Sequence, residues 1–146
     1  MNIYVRFSCI VDKIKGTYCE IILKNYMKLL KCHCGAIEAE INAPDNLEKI
    51  LRCNCSLCKR KGAIMFMVKN EDFKITKGAD KLKLYQFHTK VAKHYYCSIC
   101  GIYTHHNPRS NPAMTGFKLG CLDEIDTFDL KNVLINDGQN HPLDKK

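Results

Sequence analysis

The sequence predicts a mainly β, zinc-stabilised single domain of short antiparallel strands, and three observations predict it. From Lys31 onward, apolar-polar runs of about five to seven residues alternate with turn residues. No segment carries a clean helical stripe over three turns. Seven of the ten cysteines gather into three tight groups at metal-ligand spacing.

The chain has 146 residues, 46% hydrophobic and 26% charged, which suits one globular domain with a modest core. No apolar run approaches the roughly 18 residues of a membrane span. Arg6, Asp12 and Lys13 break up the apolar residues of the N-terminus, so there is no signal-peptide core, and a cytoplasmic location is the expectation. The cytosol keeps most thiols reduced, so ten cysteines read as metal ligands or reactive thiols before disulfides. The formal charge of +8 falls by three if seven thiolates bind two Zn²⁺ ions. A mildly basic surface of that size suits anionic small molecules as well as nucleic acid.

Met27 opens "MKLLKCHCG", itself a plausible start, so the reading divides the chain into an N-terminal extension, 1–26, and a zinc-binding domain, 27–146. "AIEAEI", from Ala36 to Ile41, has strand period and "NAPDN" breaks it. Short helical turns are expected near Leu47 to Leu51 and after Cys55. "AIMFMV" after Gly62 reads as a buried strand, and "DFKIT", "KLKLYQF" and "KHYYC" continue the series, separated by "KGAD" and "HTK". "THHNPRSNP" reads as a loop, punctuated by Pro108 and Pro112, that carries His105, His106 and Arg109. His88 and His94 flank a strand as surface or edge residues, and one of Tyr95 and Tyr96 faces the core.

The cysteine groups are "CHCG" (Cys32, Cys34), "CNCSLC" (Cys53, Cys55, Cys58) and "CSICG" (Cys97, Cys100); Cys9, Cys19 and Cys121 stand alone. Two cysteines three apart with glycine directly after form a zinc knuckle, because Gly101 can take the positive φ of the turn. Gly35 can serve the same bend, so the two glycine-terminated pairs make one closed four-thiolate site that ties early strands to late ones. His33, between two ligands, points away from the metal. Three cysteines remain, and three protein ligands with one exchangeable position is the arrangement of a catalytic zinc. Two alternatives stand beside it: the trio is half of a zinc ribbon, or Cys121 or a histidine caps it and makes it structural. An open zinc held by three thiolates can bind an incoming thiol as thiolate or polarise a carbonyl oxygen, either of which favours bond making between sulfur and an electrophilic carbon.

"CHCGAIEAEI", "CNCSLCKRKGA" and "HYYCSICGIYTHH", in that order, resemble the glutathione-dependent formaldehyde-activating enzyme family, which also includes centromere protein V, over roughly Leu30 to Asp126. The resemblance implies a β-tent fold with two zinc ions, a structural one on Cys32, Cys34, Cys97 and Cys100 and a catalytic one on Cys53, Cys55 and Cys58. It also implies a carbon-sulfur lyase activity, the condensation of glutathione with formaldehyde to S-hydroxymethylglutathione. Lys31 before the first cysteine and the N-terminal extension depart from the usual form of the family, and neither touches a ligand.

Lys59, Arg60 and Lys61 follow the trio directly, and glutathione carries two carboxylates, so a basic run there can position it; the plainer reading is a solvated turn. Arg109 is a further candidate for binding the thiol, and His105 or His106 for relaying the proton released when thiol becomes thiolate. The partners expected are therefore a small-molecule thiol and aldehyde. The competing function is a zinc-stabilised binding module for nucleic acid or a protein. Against nucleic acid stand the lysines themselves, scattered among acids as in "KNEDFKITKGADK" without a basic stripe interleaved with aromatics.

Overall fold

A computed structural model describes residues 25–144; the extension read over 1–26 lies almost entirely outside the described residues. Ten strands and one short helix follow in the order β1 (Asn25–Lys31), β2 (Glu38–Pro44), β3 (Leu51–Cys53), α1 (Ser56–Lys61), β4 (Met65–Lys69), β5 (Phe73–Lys77), β6 (Leu82–Tyr85), β7 (Lys93–Cys97), β8 (Tyr103–Asn107), β9 (Met114–Lys118) and β10 (Leu134–Asn136). The domain is mainly β, as the alternating pattern predicts.

Two sheets form the body. β1, β2 and β5 make a three-stranded sheet, and a seven-stranded sheet runs β10-β3-β4-β9-β8-β7-β6. Every pair is antiparallel except β10 with β3, which is parallel. In β2 the period of two sends Ala39, Ile41 and Ala43 inward, all without solvent exposure. They meet Val68 and Phe117 from the seven-stranded sheet, and Ile64 just before β4, in one core with Leu30, Leu119 and Leu122. Burying each of the larger members stabilises the fold by about 1.5–3 kcal/mol.

Register explains what lies on the two faces of the larger sheet. His105 sits opposite Phe117 and His106 opposite Gly116, so the two histidines point to opposite sides. His105 joins the core face, 4.6 Å in ring-centroid distance from Phe73 and 4.4 Å from Tyr95. His106 joins His94 and Tyr103 on the other face. Gly116 leaves the room for this, since a Cβ there would lie 2.3 Å from the His106 ring.

Several local expectations change. The Leu47–Leu51 segment is not helical: Lys49 takes φ +57, and Leu51 enters β3 to pair with both Met65 and Leu134. β2 runs on through "NAP" to Pro44, because beyond Ile41 it pairs with β1 alone and Pro44 lies opposite Asn25 at the strand end, where a missing N–H is tolerated. "THHN" is strand β8 and not loop, held between β7 and β9. His94 is buried, 5% exposed, because its strand position faces a cavity wall and not solvent. Tyr95 and Tyr96 are both half-buried, one against His105 and the other against Tyr103. The expected helical turn after Cys55 is α1, and "KHYYC" is β7 residue for residue.

Candidate metal centres and the adjoining pocket

Each glycine-ended pair is built by a turn at the end of a strand. Gly35 (φ +70) donates its N–H to the Cys32 carbonyl at 3.0 Å, and Gly101 (φ +73) donates to the Cys97 carbonyl at 2.9 Å. Those turns also aim N–H groups at sulfur: Ile37 N reaches Cys32 Sγ at 3.3 Å and Cys100 N reaches Cys97 Sγ at 3.5 Å. All four sulfurs lie within 4.8 Å of one another, with Cys32 to Cys34 at 3.6 Å and Cys34 to Cys97 at 3.7 Å. A tetrahedral zinc with Zn–S bonds of about 2.3 Å sets its sulfurs about 3.8 Å apart, so the donor set fits that ion. The spacing is far too long for disulfides, whose S–S bond is about 2.05 Å. Cys32 and Cys97 are buried and His33 is exposed, turned away as expected.

The trio comes from the entry of α1. Cys55 is the N-cap, its sulfur accepting from Cys58 N at 3.4 Å, while Cys55 N donates to Cys53 Sγ at 3.4 Å. The helix stops at Gly62, which takes the left-handed conformation at φ +59. The three sulfurs lie within 4.8 Å of one another, and among the described residues no histidine, carboxylate or further thiol joins them. Cys121 is buried elsewhere, its thiol directed at the Tyr103 carbonyl, and among the described residues the two sulfur groups are separate. Within the trio the Cys58 thiol donates to Cys53, which holds the Cys53 thiol down at about 5 and pushes Cys58 well above the usual thiol range. The Gly138 N–H, which donates to the Asn136 carbonyl at 2.9 Å, lies near Cys53 and favours its thiolate.

The trio opens into a cavity of about 620 Å³. Leu51, Met65 and Tyr103 form its apolar wall, with His94 and His106 alongside. Burial pushes the His94 and His106 imidazoles down to about 4 and about 3, so both are neutral near pH 7. Lys59, Arg60 and Arg109, the three cations singled out as thiol-binding candidates, all line the same cavity. Lys59 and Arg60 are exposed, and Arg60 Nη1 donates to the Ser56 carbonyl at 2.7 Å. Arg109 arrives from the far wall and is gripped by Asp144 through two bonds of 2.7 and 3.0 Å. His105, by contrast, lies in the core, with its Nδ1 2.9 Å from Thr104 Oγ1.

Two features of the cavity had no counterpart in the sequence reading. One is the C-terminal segment: Asn136, Gly138 and Gln139 cover the trio, anchored where Asn54 Nδ2 donates to Asp137 at 2.9 Å and Gln139 N donates to Asn54 Oδ1 at 3.0 Å. The other is the aromatic and histidine wall from β7 and β8, which only strand register assembles.

The sequence profile of the glutathione-dependent formaldehyde-activating enzyme matches residues 28–134, about three quarters of the chain and all seven grouped cysteines. The chain belongs to this family. Membership of the glutathione-dependent formaldehyde-activating enzymes brings a formaldehyde-activating, glutathione-related function. The chain is also similar to a Rhodobacter sphaeroides protein of known crystal structure, with 42% identity and a TM-score of 0.71, over 74% of this chain and 99% of that one. Residues 137–144, which cover the trio, lie beyond the profile match. No helix among the described residues is long and apolar enough to cross a membrane.

Proposed function

We propose that this chain is a zinc-dependent carbon-sulfur lyase-type enzyme that condenses a low-molecular-weight thiol such as glutathione with formaldehyde or a related small aldehyde. The observation that carries this reading is the unequal division of sulfur among the described residues, four in one group and three in the other, with the group of three facing a ligand-sized cavity. Cys32, Cys34, Cys97 and Cys100 would hold a structural zinc, and Cys53, Cys55 and Cys58 a catalytic one. The catalytic ion, when bound, supplies a site that keeps an incoming thiol as its thiolate near neutral pH.

The chain's own residues do the rest. Lys59, Arg60 and Arg109 surround the cavity with positive charge and suit the two carboxylates of glutathione. Asp144 fixes the Arg109 side chain at the cavity wall through two bonds, and a ligand carboxylate would share or replace that partner. Leu51, Met65 and Tyr103 keep water from the reacting atoms. The reaction is an addition: the thiol sulfur bonds to the aldehyde carbon, the π pair moves to oxygen, and that oxygen takes up a proton in place of the one the thiol lost. Nothing is oxidised or reduced. Residues 27–146 would be the catalytic unit.

Zinc analysis combined with a thiol-dependent aldehyde-consumption assay, corrected for the spontaneous reaction of thiol with formaldehyde, tests the proposal. Two zinc ions per chain and a thiol-dependent rate above the spontaneous one support it. One tightly held ion with no added rate would make the chain a zinc-stabilised binding module.

A further inference from the structure

Three cations follow the trio on α1, and they differ in where they point. Lys59 and Arg60 are exposed, but Lys61 is half-buried and turns into the cavity. Its Nζ stands 3.6 Å from the centroid of the Tyr103 ring and 3.1 Å from His94 Nδ1. Neutral His94 accepts there, so Lys61 donates. The ring face and the imidazole together fix the ammonium against the wall. Lys61 is three residues after Cys58 and so lies on the same side of the helix, next to the sulfurs. A cation tied into a wall beside the reacting sulfur is badly placed to follow the carboxylates at the two ends of a tripeptide. It is well placed for a small oxygen bonded to the carbon that this sulfur attacks.

We infer that Lys61 is the donor to the aldehyde oxygen: its ammonium holds the carbonyl in place and gives that oxygen its proton as the carbon-sulfur bond forms. The inference rests on the condensation proposed above and assigns a residue to its oxygen half. The sulfur pair makes the S–C bond, the C=O π pair becomes an O–H bond with a proton from Nζ, and Nζ recovers the proton released by the incoming thiol. Burial lowers the Lys61 ammonium to about 8 while the charges of Cys58, Cys55 and Cys53 raise it, an acidity suited to a donor near neutral pH. His94 and Tyr103 are then positioning residues for Nζ.

The test uses the full zinc-loaded chain, its Lys61→Met and Lys61→Arg variants, formaldehyde, and two thiols: glutathione and glutathione diethyl ester, whose carboxylates are masked. Arginine keeps the charge and the ring contact but does not release a proton, so it separates proton donation from charge and from packing. The expected result is a loss of about 100-fold in kcat for both variants with either thiol. Zinc content, melting temperature and calorimetric glutathione affinity are expected to stay close to those of the parent, the affinity within about twofold. A penalty that appears with glutathione, vanishes with the diester and is repaired by Lys61→Arg would make Lys61 a carboxylate anchor and overturn the inference, as would unchanged kcat. A parent enzyme that accelerates neither thiol would overturn the condensation itself, a different failure read from the unsubstituted chain.

Discussion

Gly138 lies so close to the trio that adding one carbon should open the site. A Cβ at this position would stand 2.4 Å from Cys53 Sγ and 2.8 Å from Cys55 Cβ, where ordinary contacts are about 3.5–4.0 Å. In Gly138→Ala the segment must therefore move by roughly 1 Å or more. Overpacking of this kind costs about 1–3 kcal/mol. Against that cost the segment beyond β10 is held by exposed side-chain bonds from Asn54 and by the Arg109–Asp144 pair, so the cheapest relief is for residues 137–144 to lift off while β10 and the core stay packed. Hydrogen-exchange mass spectrometry should show faster exchange across 137–144, with the melting transition of the body barely moved. Zinc at the trio should become easier to chelate than zinc at the four-cysteine group. Unchanged protection of this segment together with unchanged chelation would refute the reasoning.

Other substitutions and conditions separate the remaining parts. Cys55→Ser should abolish activity and lower zinc to one per chain with modest loss of stability, whereas Cys100→Ser should unfold or aggregate the protein, as metal analysis and circular dichroism would record. Phe117→Ala, at a fully buried core position, should lose about 3–5 kcal/mol in denaturant unfolding with both sulfur groups intact. Acid should destabilise the fold through its buried histidines: His94 and His105 are held down at about 4 and His106 at about 3, so the unfolded chain binds more protons below the ordinary imidazole value of about 6.5. Their contribution is complete above that value and is lost as pH falls toward 4 and 3. Each contributes up to about 1.4 kcal/mol per pH unit in that window, and melts taken between pH 7 and pH 4 would measure the slope.

Much of the site was legible because its information is local. Cysteine spacing and a following glycine define a knuckle within four residues, and the described positions of Cys32, Cys34, Cys97 and Cys100 agree with the grouping read from them. The trio was equally local, since Cys55 caps the helix that carries Cys58. What stayed hidden depends on pairing. The outward or inward direction of His94, His105 and His106 follows from registers with β8 and β9, and a buried histidine beside a tyrosine reads in isolation like a surface one. The extension of β2 to Pro44 required knowing that its far edge is free there. The C-terminal cover was invisible for a simpler reason: "INDGQN" contains turn residues and no ligand, and its partner segment lies 83 positions away.

That separation bears on how the protein is made. The four-cysteine group is complete once residue 100 has emerged, but the trio waits for the parallel strand β10 and the turn at Gly138 to reach it. At translation speeds of about 5–20 residues per second, the nascent chain carries three crowded thiols without their cover for roughly 4–17 s. During that interval oxidants and competing metal ions meet unprotected sulfur, so the yield of correctly loaded protein should depend on the redox state of the cell during synthesis.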